Sequence, residues 1–499
     1  MSVQSSIMDR ISSIFSFGFG GQKPQQQQPQ EITQSQKKSN KASENLSLKE
    51  KNQNKNINQA NEIRQKSQDL IQIYRDTIQV WNDIKRCEHF HPLMRYESVK
   101  KRVHRLIMMF LNIYGNSENN SGVQCCYVQG LDSIAVVLYT QYLNYSKEFY
   151  VISMLKQIFT NFLKHFLDKE TNNLSFKYPC ILIQRLLSYY EPELYLHFKQ
   201  IEFQHDMYLV CWVMTLFAHS IEIEKVVNIW TELFCERVEF LFYITLGILK
   251  QIKDKLLLLD LNSTLGIINN IQGLIDIDNV LLQAKIYMNK TPPSFIQSDF
   301  VFDAKRQMQN NAVDMLKQNE YFAQRWWELE YLDYRDDIEV CLVSADEIIN
   351  VQNPNWKKNK LFIDVREDFS GFYGLHMKGS YYMDGSSEEG DTEFHIYAEF
   401  LQLFQETQLE TVIVIIGERD QIGHEFAQNI IKETSGQLTQ VCVLKGGIDA
   451  ICLEQPKLMR KGGIKGKSET SKDFITQYER FIKKAKQSKQ LQASQKTFN

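Results

Sequence analysis

The chain has 499 residues, 43% of them hydrophobic and 12% aromatic, which is enough for two or three packed domains and too apolar for a wholly disordered protein. With a net charge of −3 the bulk electrostatics do not point to nucleic acid, and no nucleic-acid partner is expected. The nine cysteines are odd in number, scattered and without a Cys-x-x-Cys pair, so they read as reduced thiols in a cytoplasmic protein, with no disulfide framework and no metal site expected.

Residues 1–60 predict a disordered polar segment, with a glutamine run at Gln25 to Gln28 and too little apolar area to order itself. Near its start, Ile7, Met8, Ile11, Ile14, Phe15, Phe17 and Phe19 lie among serines and glycines at partly helical spacing. Two readings stay open there: an amphipathic helix in contact with a membrane surface, and a peptide that docks on a partner or on the fold itself. No basic region followed by an apolar one opens the chain, and the longest apolar run, Tyr208 to His219, falls short of the roughly 20 residues of a bilayer span.

From 61 to 290 apolar residues recur at helical spacing almost throughout. They predict helices near 61–84, 95–114, 130–145, 148–168, 180–198, 204–220, 222–236 and 238–257, hence an all-α domain. At the end of the first helix, in Val80-Trp81-Asn82-Asp83-Ile84-Lys85-Arg86-Cys87, Asp83 and Arg86 stand three apart, so the carboxylate can hold the guanidinium in one direction. The simpler reading of Arg86 is a surface ion pair of little energetic consequence. Beyond the polar linker 116–122, Tyr127-Val128-Gln129-Gly130 runs into an apolar helix face of Leu131, Ile134, Ala135, Leu138 and Tyr139. Gln129 therefore stands at the mouth of a helix, where a carboxamide can orient a water; a glutamine that caps the helix or bonds a neighbouring loop is the simpler alternative.

Aliphatic-x-x-Asp-x-x-Arg followed by Tyr-x-Gln-Gly resembles the paired signature of TBC domains, with Val80 where that family usually has Ile. Trp212 to Phe217 and Val227 to Phe234 extend the resemblance over roughly 60–290, with Thr231 where Asp is usual. The resemblance implies a GTPase-activating protein for a Rab-family small GTPase in its GTP form, which regulates vesicle or endosomal membrane traffic. Arg86 and Gln129 would be its catalytic fingers, supplied in trans, with Asp83 aiming the arginine and Tyr127 packing to hold the Gln loop. The domain would need no cofactor of its own, since GTP and Mg are bound by the partner Rab. The other reading is a non-catalytic Rab-binding adaptor or scaffold subunit of a larger trafficking assembly, which Thr231 favours.

Residues 291–340, with Pro292-Pro293 and an aromatic end at Trp326-Trp327, read as a linker. From 341 to 455 the period changes. The short β-branched runs Leu361 to Arg366, Thr411 to Gly417 and Gln440 to Gly447 alternate with helical stretches, the pattern of a buried parallel sheet. These runs, with Gly374 to Ser380 between the first two, resemble a small α/β rhodanese-like domain. That family's chemistry needs a cysteine opening the loop after the central strand, and here the loop reads Gly417-Glu418-Arg419-Asp420, so no sulfurtransferase activity is expected and a docking role toward trafficking-complex subunits takes its place. Cys442, inside the next strand, reads as a buried small hydrophobe.

The tail 456–499 is lysine-rich; it reads as a solvated charged tail or as a second peripheral contact with anionic membrane. The order of these parts, a multidomain chain of all-α and then α/β domains, is similar to the C-terminal two-thirds of TBC-domain-containing protein kinase-like proteins without their kinase-like domain. That similarity implies a cytoplasmic protein held peripherally on endosomal or Golgi membranes.

Overall fold

The computed structural model describes residues 75–89, 91–115, 127–142, 148–163, 177–236, 239–292, 294–295, 338–349, 359–367, 369–386, 390–407 and 411–461. The expectations for residues 1–60, for most of the 291–340 linker and for the tail beyond Lys461 fall outside them. The chain divides into two compact units, Met1–Thr160 and Asn161–Asn499.

In the first unit, α1 spans residues 75–86 and passes into two 3₁₀ turns, Cys87–His89 and Pro92–Arg95. The second turn starts where Leu93 N–H donates to Nδ1 of His91 at 3.1 Å, ahead of Pro92. Helices α2 (Glu97–Gly115), α3 (Leu131–Tyr142) and α4 (Glu148–Ile158) pack on one another. The outer two each bury one apolar stripe: Val103, Leu106, Ile107 and Phe110 on α2, and Val151, Ile152, Leu155 and Ile158 on α4. Helix α3 is buried on nearly every side from Leu131 to Tyr139, which makes it the axis of this unit. A buried side chain of this size contributes about 1.5–3 kcal/mol.

The second unit opens with helices α5 (Lys177–Tyr190), α6 (Pro192–Gln200), α7 (Asp206–Met214), α8 (Ile223–Leu233), α9 (Phe240–Leu256), α10 (Leu261–Asn269) and α11 (Ile277–Lys290). The single helix expected over 180–198 is two, because Pro192 has no N–H to donate and opens α6 at its first position. At that break the buried Glu191 carboxylate is met by Lys250 at 2.7 Å, Lys253 at 3.2 Å and the Tyr287 hydroxyl at 3.2 Å. The helix expected over 204–220 stops at Met214. Leu216 and Phe217 turn into left-handed backbone (φ 48° and 67°), and the buried Trp230 indole donates to Leu216 O at 2.8 Å. Helices α10 and α11 lie beyond the last helix expected from periodicity, and Asp260 and Asp276 cap their N-termini.

A parallel sheet follows, as the change of period predicts. Its strands are β1 (Leu342–Val343), β2 (Lys360–Asp364), β4 (Tyr381–Tyr382), β5 (Val412–Ile416) and β6 (Val441–Leu444), in the order β1-β6-β5-β2-β4. The three apolar runs supply β2, β5 and β6. The two-residue edges β1 and β4 and the antiparallel ribbon of β3 (His376–Met377) with β7 (Met459–Arg460) carry no periodic signal. Between them run α12 (Ala345–Ile349), α13 (Phe369–Gly374), α14 (Thr392–Thr407), α15 (Asp420–Glu433) and α16 (Gly447–Glu454). Cys442 is fully buried in β6, and burial pushes its thiol well above the ordinary range.

One face of this sheet shares a core with α5: Tyr189 and Phe295 pack with Val343, Val412, Val414, Cys442 and Leu444. Main chain joins the two directly, Gln440 N–H donating to Tyr189 O at 2.7 Å. The buried Arg185 Nε donates to Ile338 O at 2.9 Å.

His205, just before α7, is buried with Nδ1 at 3.0 Å from the Tyr208 hydroxyl, and burial pushes its pKa down from 6.5 to about 4, against the opposing charge of Glu339. Since the folded value lies below the unfolded one, this stabilisation is complete above pH 6.5 and is lost as pH falls toward about 4. Between pH 7.5 and pH 5 the imidazole therefore accounts for about 2 kcal/mol of lost stability. Urea unfolding at the two pH values is expected to show that gap narrowed by this amount in His205→Gln; an unchanged gap would refute the assignment.

Candidate functional site

Arg86 closes α1 and Asp83 lies one turn before it on the same helix. The guanidinium pairs with Asp83 Oδ1, yet its side chain is 67% exposed while that of Asp83 is 3% exposed. Val80 and Ile84 anchor the helix by their full burial, so the end of α1 is held by its apolar face and carries the arginine outward.

The second strand of the site is the turn 127–130. Gly130 has φ 110°, backbone that side chains rarely adopt, and this reverses the chain into α3. Gln129 is exposed immediately before that reversal, whereas Tyr127 and Gly130 are buried. The Tyr127 hydroxyl stands 2.9 Å from Asp83 Oδ2 and 3.2 Å from Asp132 Oδ1, so its single proton donates to one of two carboxylates at a time. Burial first, and then the charges of Asp132 and Asp83, push its pKa far up, which keeps the proton on the ring oxygen.

Asp132, in the first turn of α3, completes the arrangement. Its Oδ1 accepts the Gly130 N–H at 2.8 Å and its Oδ2 accepts the Cys87 S–H at 3.2 Å. Cys87 is buried, its pKa raised by burial and then by Asp132, so the thiol stays protonated as a donor. Asp83, Arg86, Tyr127 and Gln129 are thus brought together, the first three by direct bonds and Gln129 through the adjoining turn. Sequence reasoning does not single out Asp132 or Cys87. The signal available was an aspartate placed just after a Gly reversal and at a helix N-terminus, where orphan N–H groups call for an acceptor.

The arrangement presents a permanent cation and a carboxamide to the outside, both backed by buried acceptors. It can stabilise negative charge and orient a polar molecule held by a partner. Among the described residues no group of three or more His, Cys, Asp or Glu is disposed to hold a metal ion. No helix of the described residues is long and apolar enough to cross a membrane.

A family model for the Rab-GTPase-TBC domain matches residues 25–257. A TBC domain-containing protein kinase-like protein of Mus musculus is 23% identical over 397 residues, spanning 75% of this chain and 42% of the relative. A protein of the same description from Dictyostelium discoideum is 23% identical over 370 residues, 74% of this chain and 31% of the relative. This chain therefore spans less than half the length of these relatives. Among solved structures, the Chlamydomonas flagellar RabGAP TBC domain aligns with 21% identity and a TM-score of 0.34, covering 43% of this chain and 70% of that one. Residues 25–257 thus match the Rab-GTPase-TBC domain, and a parallel α/β sheet lies beyond them in the described residues.

Proposed function

We propose that the chain is a GTPase-activating protein for a Rab-family small GTPase. The observation that carries this reading is the exposed Arg86 guanidinium aimed by a buried carboxylate, with exposed Gln129 on the adjoining turn and Tyr127 bridging the two elements. Hydrolysis on such a GTPase is slow because charge developing on the phosphoryl oxygens is unmet and the attacking water is poorly held. Arg86 supplies the missing charge as a fork of N–H donors, and Gln129 orients the water. Asp83 gives the guanidinium its direction. GTP and Mg belong to the partner, which is engaged in its GTP form.

The C-terminal sheet region is rhodanese-like in this reading, with Asp420 opening α15 where the loop after β5 ends and accepting the Gly446 N–H at 2.6 Å, and it contributes structure and docking rather than sulfur transfer. Location on endosomal or Golgi membranes, through a terminal segment, completes the proposal.

Phosphate release from a panel of GTP-loaded Rabs mixed with the full chain tests it. Acceleration of one Rab by about 10³-fold or more is the expected result. Binding of one Rab in its GTP form without acceleration of any would assign the adaptor role instead.

A further inference from the structure

We infer that Asp132 is the positioning residue that fixes the Gln129 turn and couples it to Arg86. Asp132 is 4% exposed, and its carboxylate makes three contacts, two with the turn 127–130 and one with the residue after α1: the Gly130 N–H at 2.8 Å, the Tyr127 hydroxyl at 3.2 Å and the Cys87 thiol at 3.2 Å. The first of these holds the peptide between Gln129 and Gly130. With φ of Gly130 at 110°, the direction in which Gln129 leaves the turn depends on how that peptide plane is set. The other two contacts reach back to α1. Tyr127 also bonds Asp83, the partner of Arg86, and Cys87 is the residue after Arg86, its Sγ lying 3.5 Å from Asp83 O.

A chain of bonds therefore runs from Gly130 through Asp132 and Tyr127 to Asp83 and Arg86, all of it buried up to its last member. Two carboxylates share one hydroxyl proton, so a rotation of Tyr127 toward one loosens it from the other. Displacing the turn displaces the acceptor network that aims the arginine. The position of Asp132 at the start of α3 suits the charge, since the N-terminal end of a helix favours an anion. Nothing in this geometry requires Asp132 to touch the nucleotide; it acts through Gln129 and Arg86.

The consequence for turnover rests on the GTPase-activating reading; the geometry does not. The test therefore has two arms on the full chain. In the first, glutamine is labelled with ¹³C at the carbonyl and glycine with ¹⁵N, which selects Gln-Gly peptides. The sequence has two, Gln129-Gly130 and Gln272-Gly273, so Gly273 serves as the internal control.

In Asp132→Ala the Gly130 amide proton is expected to move upfield and exchange faster with solvent, with Gly273 unchanged. In Asp132→Asn, which keeps the shape and a neutral acceptor, it is expected to move by a smaller amount, because a bond to a charged acceptor is about twice as strong as a neutral one. An unmoved Gly130 in the folded variants, or equal movement at Gly273, overturns the inference.

In the second arm, on a Rab that the wild type accelerates, Asp132→Ala is expected to lower the rate at saturating activator on the order of 10- to 100-fold, with the half-saturating concentration unchanged and partial recovery in Asp132→Asn. A shift confined to the half-saturating concentration overturns the positioning role. If the wild type accelerates no Rab, the GTPase-activating reading falls, and the Gly130 signals still decide whether Asp132 fixes the turn.

Discussion

Arg86→Lys is expected to lose on the order of 10³-fold of the acceleration at saturating activator, nearly as much as Arg86→Ala. The lysine keeps the charge, but its ammonium is a compact, strongly hydrated point that cannot engage a carboxylate and phosphoryl oxygens through separate arms of one plane. In the wild type one arm of the guanidinium is given to Asp83, and the side chain is 67% exposed beyond that bond, so the plane is set before any partner arrives. Affinity for the GTP-bound Rab is expected to change by less than about fivefold in either variant, since an exposed ion pair contributes at most about 1 kcal/mol. Single-turnover rates read beside equilibrium binding separate the two effects. An Arg86→Lys variant that retains most of the rate would show that charge alone is what the site supplies. A variant that loses binding and rate together would make Arg86 an anchor for the partner.

What was legible in the sequence is what is local. Asp83 and Arg86 are one helical turn apart, and Tyr127 and Gln129 share one turn, so spacing alone brings each pair into view. Asp132 contacts Cys87 across 45 positions of chain, and no periodicity reports such a meeting. The same division holds for the fold. Runs of β-branched residues marked β2, β5 and β6, each held by neighbours on both edges. The two-residue strands β1 and β4 exist because those neighbours offer them unpaired edges, which is a property of the assembled sheet. Pro192 marked the break between α5 and α6, yet the apolar period continues across it and predicts one helix. The attachment of the sheet to α5 was out of reach for a further reason: nothing local marks Tyr189 or Arg185, and both are buried against residues from 338 onward.

That attachment carries the second large effect, on stability. Glu339→Ala is expected to destabilise the second unit by about 2–3 kcal/mol. Its carboxylate Oε2 accepts from the Tyr195 hydroxyl, the Lys199 ammonium and the Gln428 amide, each at 2.5 Å, and its own N–H donates to His424 Nε2 at 3.0 Å. Burial raises its pKa, but the bonds from Lys199 and Tyr195 outweigh that and hold it below the ordinary carboxylate value. Removing the carboxylate takes the shared acceptor from three donors of α6 and α15 and leaves Lys199 and Gln428 only their longer bonds to the Tyr195 hydroxyl, at 3.4 Å and 3.2 Å, while the partial exposure of Glu339 keeps the cost below that of a fully buried ion. Gly436→Ala strikes the same junction through shape. A Cβ there would stand 2.5 Å from Glu193 N and 2.6 Å from its Cα, on backbone with φ 71°, so the turn after α15 must leave the start of α6. Hydrogen exchange followed in both variants is expected to quicken in α5 and α6 together with β6 and α15, because Glu339 ties α6 to α15 and the core around Tyr189 ties α5 to β6. Faster exchange confined to the sheet, with α5 and α6 still protected, would mean that the helices hold without it and that the α/β region is a separable appendage.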